Sequence, residues 1–273
     1  MGTLNRITTL VFDIICYPFR GLPPIWALTV ISILTGILML WIFGKTSNQD
    51  AIKIVRNRVR GHLMAMWLFG DDLLVLLRTQ GRLFKETIVY MGHATWPMLV
   101  MLVPVLLILT QLNLRFSVKP LPVGAEAVVN VNLRKNLPSE QPVELEVPEG
   151  IVRETPGVRI DSLKQVAWRV RPQEPGLYQI SAHTDGHDVQ KQLLVGSRWD
   201  SVSALRTGRN LWEMLLYPGE PPIPSSSAIE SIEVTYDPLP LTIFGFGVHW
   251  LVFFFVVSLA AAFAFRRALG VEI

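Results

Sequence analysis

Three long uncharged apolar runs, set between charged segments, constrain this chain more than any other feature. The first is 25–44, IWALTVISILTGILMLWIFG. At about 1.5 Å rise per residue a helix of that length covers about 30 Å, the hydrocarbon thickness of a bilayer. Pro23 and Pro24 precede and open it, and proline suits a helix start because its missing N–H would have had no acceptor there. The second run is 94–114, ATWPMLVMLVPVLLILTQLNL, with Pro97 and Pro104 inside it. Spanning helices tolerate proline when neighbouring groups satisfy the freed carbonyls, so a kink rather than a break is expected. The third run is 241–265, LTIFGFGVHWLVFFFVVSLAAAFAF, closed by Arg266 and Arg267. Each is expected to span.

Composition agrees with the runs. Only 17% of residues are charged and mean hydropathy is +0.38, a poor fit to a soluble enzyme or a disordered tail. Cys16 is the single cysteine, so no disulfide can form within the chain and an outer domain must rest on its core. Segment 45–93 carries eight Lys/Arg against four Asp/Glu, and Arg266 and Arg267 follow the third run directly. Segment 115–240 carries 13 basic and 16 acidic residues. Basic residues near span ends stay in the cytoplasm. The expected layout has the N-terminus outside, the tail 266–273 in the cytoplasm and 115–240 periplasmic or extracellular. The bacterial inner membrane is the expected location. Anionic lipid is the simplest partner for the basic inner side, and ribosomal RNA is a second.

The N-terminal segment 1–24 is a poor secretory signal, since Asp13 interrupts its apolar stretch. Leu4, Ile7, Val11, Ile14 and Tyr17 recur at spacings of three and four. The spacing predicts a short interfacial helix over 3–17, with a frayed terminus as the plainer alternative. Segment 45–93 predicts a cytoplasmic helical hairpin. Ile52, Val55, Val59, Leu63, Met66 and Trp67 form one stripe, Gly70, Asp71 and Asp72 interrupt, and Leu73 to Ile88 carry a second. Met64, Met66, Trp67 and Phe69 near the tip are candidates for contact with a client or partner, because Met and aromatic surface adapts to apolar segments. Packing on the hairpin or the membrane is the plainer role. Arg56, Arg58 and Arg60 are candidates for contact with lipid or ribosome.

Segment 115–197 changes to two-residue alternation. Ala127, Val129, Val131 and Leu133 share one face, as do Val143, Leu145 and Val147, then Val166, Trp168 and Val170. Tyr178, Ile180 and Ala182 repeat the pattern, followed less perfectly by Val189, Lys191, Leu193 and Val195. Turn residues between these strands predict an all-β sandwich. Tyr178, just after Pro175-Gly176, is placed like the corner tyrosine of an Ig-like domain. Segment 198–240 predicts an interfacial helix over 199–217, a Pro/Ser-rich loop, and a last strand with Ile232, Val234 and Tyr236 returning to the sandwich edge. The expected fold class is an α-helical membrane protein with three spans and a cytoplasmic hairpin, plus an Ig-like sandwich between spans two and three.

No catalytic, cofactor or metal site is expected, and no DNA partner. His183, His187 and Asp188 flank a turn without a zinc signature, and solvated turn residues are the simpler reading. His249 in the third run can sit at headgroup level beside Trp250 or serve a function within the bilayer.

The order of these elements resembles the YidC-type membrane-protein insertase superfamily, in its minimal three-span branch. Gly81-Arg82-Leu83-Phe84-Lys85, Trp96-Pro97-Met98 and Val103-Pro104-Val105 are similar to the approach to that family's second core helix. Trp250 with Ser258 and the run from Arg266 to Val271 are similar to its last helix and tail. The resemblance implies insertion or chaperoning of client transmembrane segments through a polar groove. Here Thr29, Ser32, Thr35, Thr110, Gln111 and Ser258 would supply the polarity, since the spans lack charge. The alternative is a non-enzymatic accessory subunit that braces a larger membrane complex through its spans and its sandwich.

Overall fold

The computed structural model describes residues 2–19, 21–47, 57, 61, 64, 73–135, 143–184, 187–196, 201–208, 213, 216–243 and 245–271. They fall into two units, one of 26–105 with 251–273 and one of 1–25 with 106–250. Four helices are described: α1 (Gly2–Cys16), α2 (Pro24–Thr46), α3 (Leu73–Phe116) and α4 (Trp250–Phe265). Two stretches, Pro24–Thr46 and Thr95–Phe116, are long and apolar enough to cross a membrane.

Helix α3 runs unbroken through Pro97 and Pro104 for 44 residues. The second half of the predicted hairpin and the second predicted span are thus one helix. The first half of that hairpin lies outside the described residues, apart from Asn57, Gly61 and Met64, which are helical. In the 26–105/251–273 unit, Ala27, Leu28, Ile31, Leu40, Phe254 and Ala261 are buried. Gly36 lies against α4: a methyl group there would run into the Ser258 carbonyl and come within 3.2 Å of the Ala261 side chain.

The other unit holds two antiparallel sheets over one core. Strands β1 (Ala127–Leu133), β2 (Glu144–Glu146), β3 (Ile151–Arg153), β4 (Val158–Ile160) and β5 (Gln165–Pro172) come first. Then follow β6 (Gly176–Thr184), β7 (His187–Val195), β8 (Leu205–Thr207) and β9 (Ile229–Val234). The larger sheet has the order β3-β5-β1-β9-β8 with β4 also on β5, and the smaller is β2-β6-β7. Alternation places the core: Val129, Val131, Trp168, Val170, Ile180 and Leu193 point into one buried cluster. In β1, Val129 opposes Trp168 and Val131 opposes Val166, so one register brings both apolar faces to the same side. Tyr178 donates its hydroxyl to the Glu174 carbonyl at 3.0 Å.

Three expectations need correction. The run 241–265 is not one helix: Leu241–Ile243 (β10) and Phe246–Val248 (β11) pair as a hairpin, and α4 has 16 residues, about 24 Å. Gly245 takes φ +86° in the two-residue connection, a conformation glycine adopts without strain. The predicted helix over 199–217 gives way at 205–207, where β8 pairs with β9. Gly208 allows this, since a methyl there would collide with the Ile223 carbonyl as the following loop closes over the strand. The last strand, β9, lies inside the larger sheet between β1 and β8 rather than at its edge.

Candidate functional site

The predicted groove residues divide between the two units. Thr29, Ser32, Thr35 and Ser258 belong to the helical one, Thr110 and Gln111 to the other. Ser32 donates to the Leu28 carbonyl at 2.6 Å and Thr35 to the Ile31 carbonyl at 2.8 Å, and both are buried. Thr110 bonds the Leu107 carbonyl at 2.9 Å, and Ser258 the Phe255 carbonyl at 3.1 Å. Thr29 is half-buried. The hydroxyls of Ser32, Thr35, Thr110 and Ser258 bond back onto their own helices, the usual answer to a hydroxyl where water is scarce.

Gln111 behaves differently. Its amide donates to Thr8 Oγ1 and Thr9 Oγ1 on α1 at 3.3 and 3.1 Å, and its Oε1 accepts from Arg115 at 2.8 Å. Arg115, only 4% exposed, reaches Asp13 at 2.7 Å and lies over the Phe12 ring at 5.7 Å. Together they clamp α1 to the C-terminal end of α3. In the sequence Asp13 reads as an interruption of an apolar stretch, and Arg115 does not stand out. The signal was a lone acid on the polar side of an amphipathic stripe.

A second buried charge stands in the sandwich. Lys191 occupies an inward position of β7 and is fully buried. It donates to Glu220, to the Ser203 carbonyl at 2.5 Å and to the Gln192 carbonyl at 3.2 Å. Burial pushes its pKa down, and Glu220 opposes that shift. Glu220 also accepts from the Gln192 N–H at 2.9 Å, and Tyr236 Oη accepts from the Leu194 N–H at 3.2 Å. Arg206 donates to the Gln190 carbonyl, and the Leu121 N–H to the Leu194 carbonyl at 3.1 Å. These bonds all fall on alternate residues, 190, 192 and 194, of the edge strand of the smaller sheet. Side chains and one loop amide therefore occupy a row of backbone groups on which another strand would otherwise pair. Burial pushes the Tyr236 hydroxyl up to about 12.

Of the tip residues, Met64 is exposed, while Met66, Trp67, Phe69, Arg56, Arg58 and Arg60 lie outside the described residues. His183 bonds Glu146 at 2.8 Å and stands 3.7 Å from Asp188, all at the surface. Among the described residues no group of three or more His, Cys, Asp or Glu is arranged to hold a metal ion. His249 lies just ahead of α4, its ring 5.7 Å from that of Trp250. No protein-family model, curated protein or solved structure matches the chain.

Proposed function

We propose that this chain is a non-enzymatic accessory subunit that braces a larger membrane protein complex, held by its spanning helices and docked outside the bilayer through an Ig-like sandwich. The observation that carries the reading is the disposal of the helix hydroxyls. Ser32 and Thr35 are buried and bonded to their own backbone, so they offer nothing to a client's hydrophilic flank. Moving one charged residue to mid-membrane costs about 2.5 to 3.5 kcal/mol, and a groove that lowers this cost needs groups that face it. The Ig-like reading is supported by two sheets over one core, buried Trp168 and the bond from Tyr178 to a carbonyl four residues upstream. In this layout α4 is the third span, the basic segment 45–93 is cytoplasmic and the sandwich is periplasmic, in a bacterial inner membrane.

A second reading, an insertase-like chaperone, draws on one observation. Phe84, Ile88 and Met91 are exposed at spacings of four and three along α3, and such a face suits transient capture of an apolar segment. Affinity purification in mild detergent separates the two. The first reading expects one fixed set of membrane proteins in stoichiometric yield. Ribosomes and a broad set of nascent membrane proteins would overturn it in favour of the second.

A further inference from the structure

We infer that α1 and the β10–β11 hairpin form a lipid-docking collar, seated at the headgroup–acyl boundary on the membrane face that carries the sandwich. The inference rests on Thr95–Phe116 crossing the bilayer, and both elements are tied to the end of that stretch.

Helix α1 has two faces. Phe12 and Cys16 are buried, Thr8 and Thr9 meet Gln111, and Asp13 meets Arg115, all on the side turned toward α3. Ile7, Leu10, Val11, Ile14 and Tyr17 form the opposite stripe, and Ile14 and Tyr17 are 65% and 68% exposed. Four large apolar side chains on one face of a 15-residue helix, with Tyr17 in the turn that follows, are costly in water and favourable in lipid. The clamp decides which lipid. Gln111 and Arg115 lie in the last two turns of α3, so α1 is held at the level where the apolar stretch ends.

The hairpin is placed by a separate set of bonds. Just past α3, Val118 bridges Pro238; Lys119 N–H donates to Asp237 and Leu239 N–H to Ser117, at 3.0 Å each. The strand that follows is β10, so the hairpin leaves the same helix end. Beyond its turn Phe246 is 76% exposed. A two-stranded hairpin cannot enter the hydrocarbon, because its edge N–H and C=O groups need water or headgroups. An aromatic side chain beyond its turn is suited to dip from that level. Lipid is the occupant on two grounds: the exposed stripe is made of large apolar side chains, and it belongs to elements fixed at the end of a stretch long and apolar enough to cross a bilayer.

The test uses the full chain in phosphatidylcholine–phosphatidylglycerol vesicles. A bimane fluorophore is placed at Ile14→Cys, Phe246→Cys or Val103→Cys, with the wild type, whose Cys16 is buried, as background. Lipids spin-labelled near the headgroup should quench the Ile14 and Phe246 sites about twofold more than lipids labelled near the acyl terminus. Val103, exposed in mid-span, should show the reverse order. If Ile14 or Phe246 stays unquenched while Val103 is quenched, the collar is wrong and the span stands. If all three stay unquenched, the span falls and the collar with it.

Discussion

In α2, Ser32 and Thr35 bond carbonyls one helical turn away; in the sandwich, Lys191 reaches Ser203 and Glu220, twelve and twenty-nine residues distant. Both arrangements bury polar atoms with partners, but they depend on different things. A helix hydroxyl carries its acceptor with it, so the bond survives any rearrangement that keeps the helix. The Lys191–Glu220 pair exists only when β7, the segment after β8 and the core are all in place. Ser32 and Thr35 of α2 are therefore locally self-sufficient in polar bonding, whereas the sandwich is stitched by contacts distant in sequence.

The comparison breaks most readily at Glu220. Glu220→Ala strands a buried ammonium, and loss of one partner of such a pair costs about 3 to 5 kcal/mol. Chemical denaturation followed by tryptophan fluorescence should show that loss, and replacing both residues with apolar side chains of similar volume should recover most of it. In the helices the sensitive point is steric. Gly36→Ala drives a methyl into the Ser258 carbonyl, a backbone atom that cannot swing aside, and overpacking of this kind costs about 1 to 3 kcal/mol. The melting temperature in detergent, read by helical circular dichroism, should fall.

Tyr236 sharpens the contrast through pH. Its folded-state pKa is raised from 10.0 to about 12 by burial, so its contribution is complete below pH 10 and is lost as pH rises toward about 12. The stability difference between wild type and Tyr236→Phe should be flat below pH 10 and shrink above it. At neutral pH the substitution leaves the Leu194 N–H without its acceptor, for about 1 to 2 kcal/mol. Asp13→Asn should have the smallest effect, under about 1 kcal/mol, because the carboxylate side of that pair is half in solvent.

Much of the sandwich was legible in the sequence. Alternation identified the inward residues of β1, β5, β6 and β7, including Lys191, because a half-buried strand has a period of two whatever its partners. The partner Glu220 was not legible, since it sits in a Pro/Ser-rich loop whose path depends on the folded sheet. The short strand β8 is hidden in the sequence because Val202, Leu205 and Trp212 fall at helix-compatible spacings, and its pairing with β9 outweighs that weak local preference. The run 241–265 reads as one helix for another reason: apolar content measures affinity for lipid or core, not backbone geometry, and Gly245 and Gly247 carry the geometric signal. Gly36 had no sequence signature, since a glycine in an apolar helix announces itself only when the facing helix is known.

The bracing role stands or falls on whether the Ser32 and Thr35 hydroxyls of α2 are sealed, not displayed to water in a groove. Ser32→Cys and Thr35→Cys chains in vesicles, exposed to a small water-soluble thiol reagent with wild type as background, test it directly. Labelling at both positions should be no faster than at Cys16, which is buried. Rapid labelling at either position would reveal a hydrated groove and contradict the bracing role.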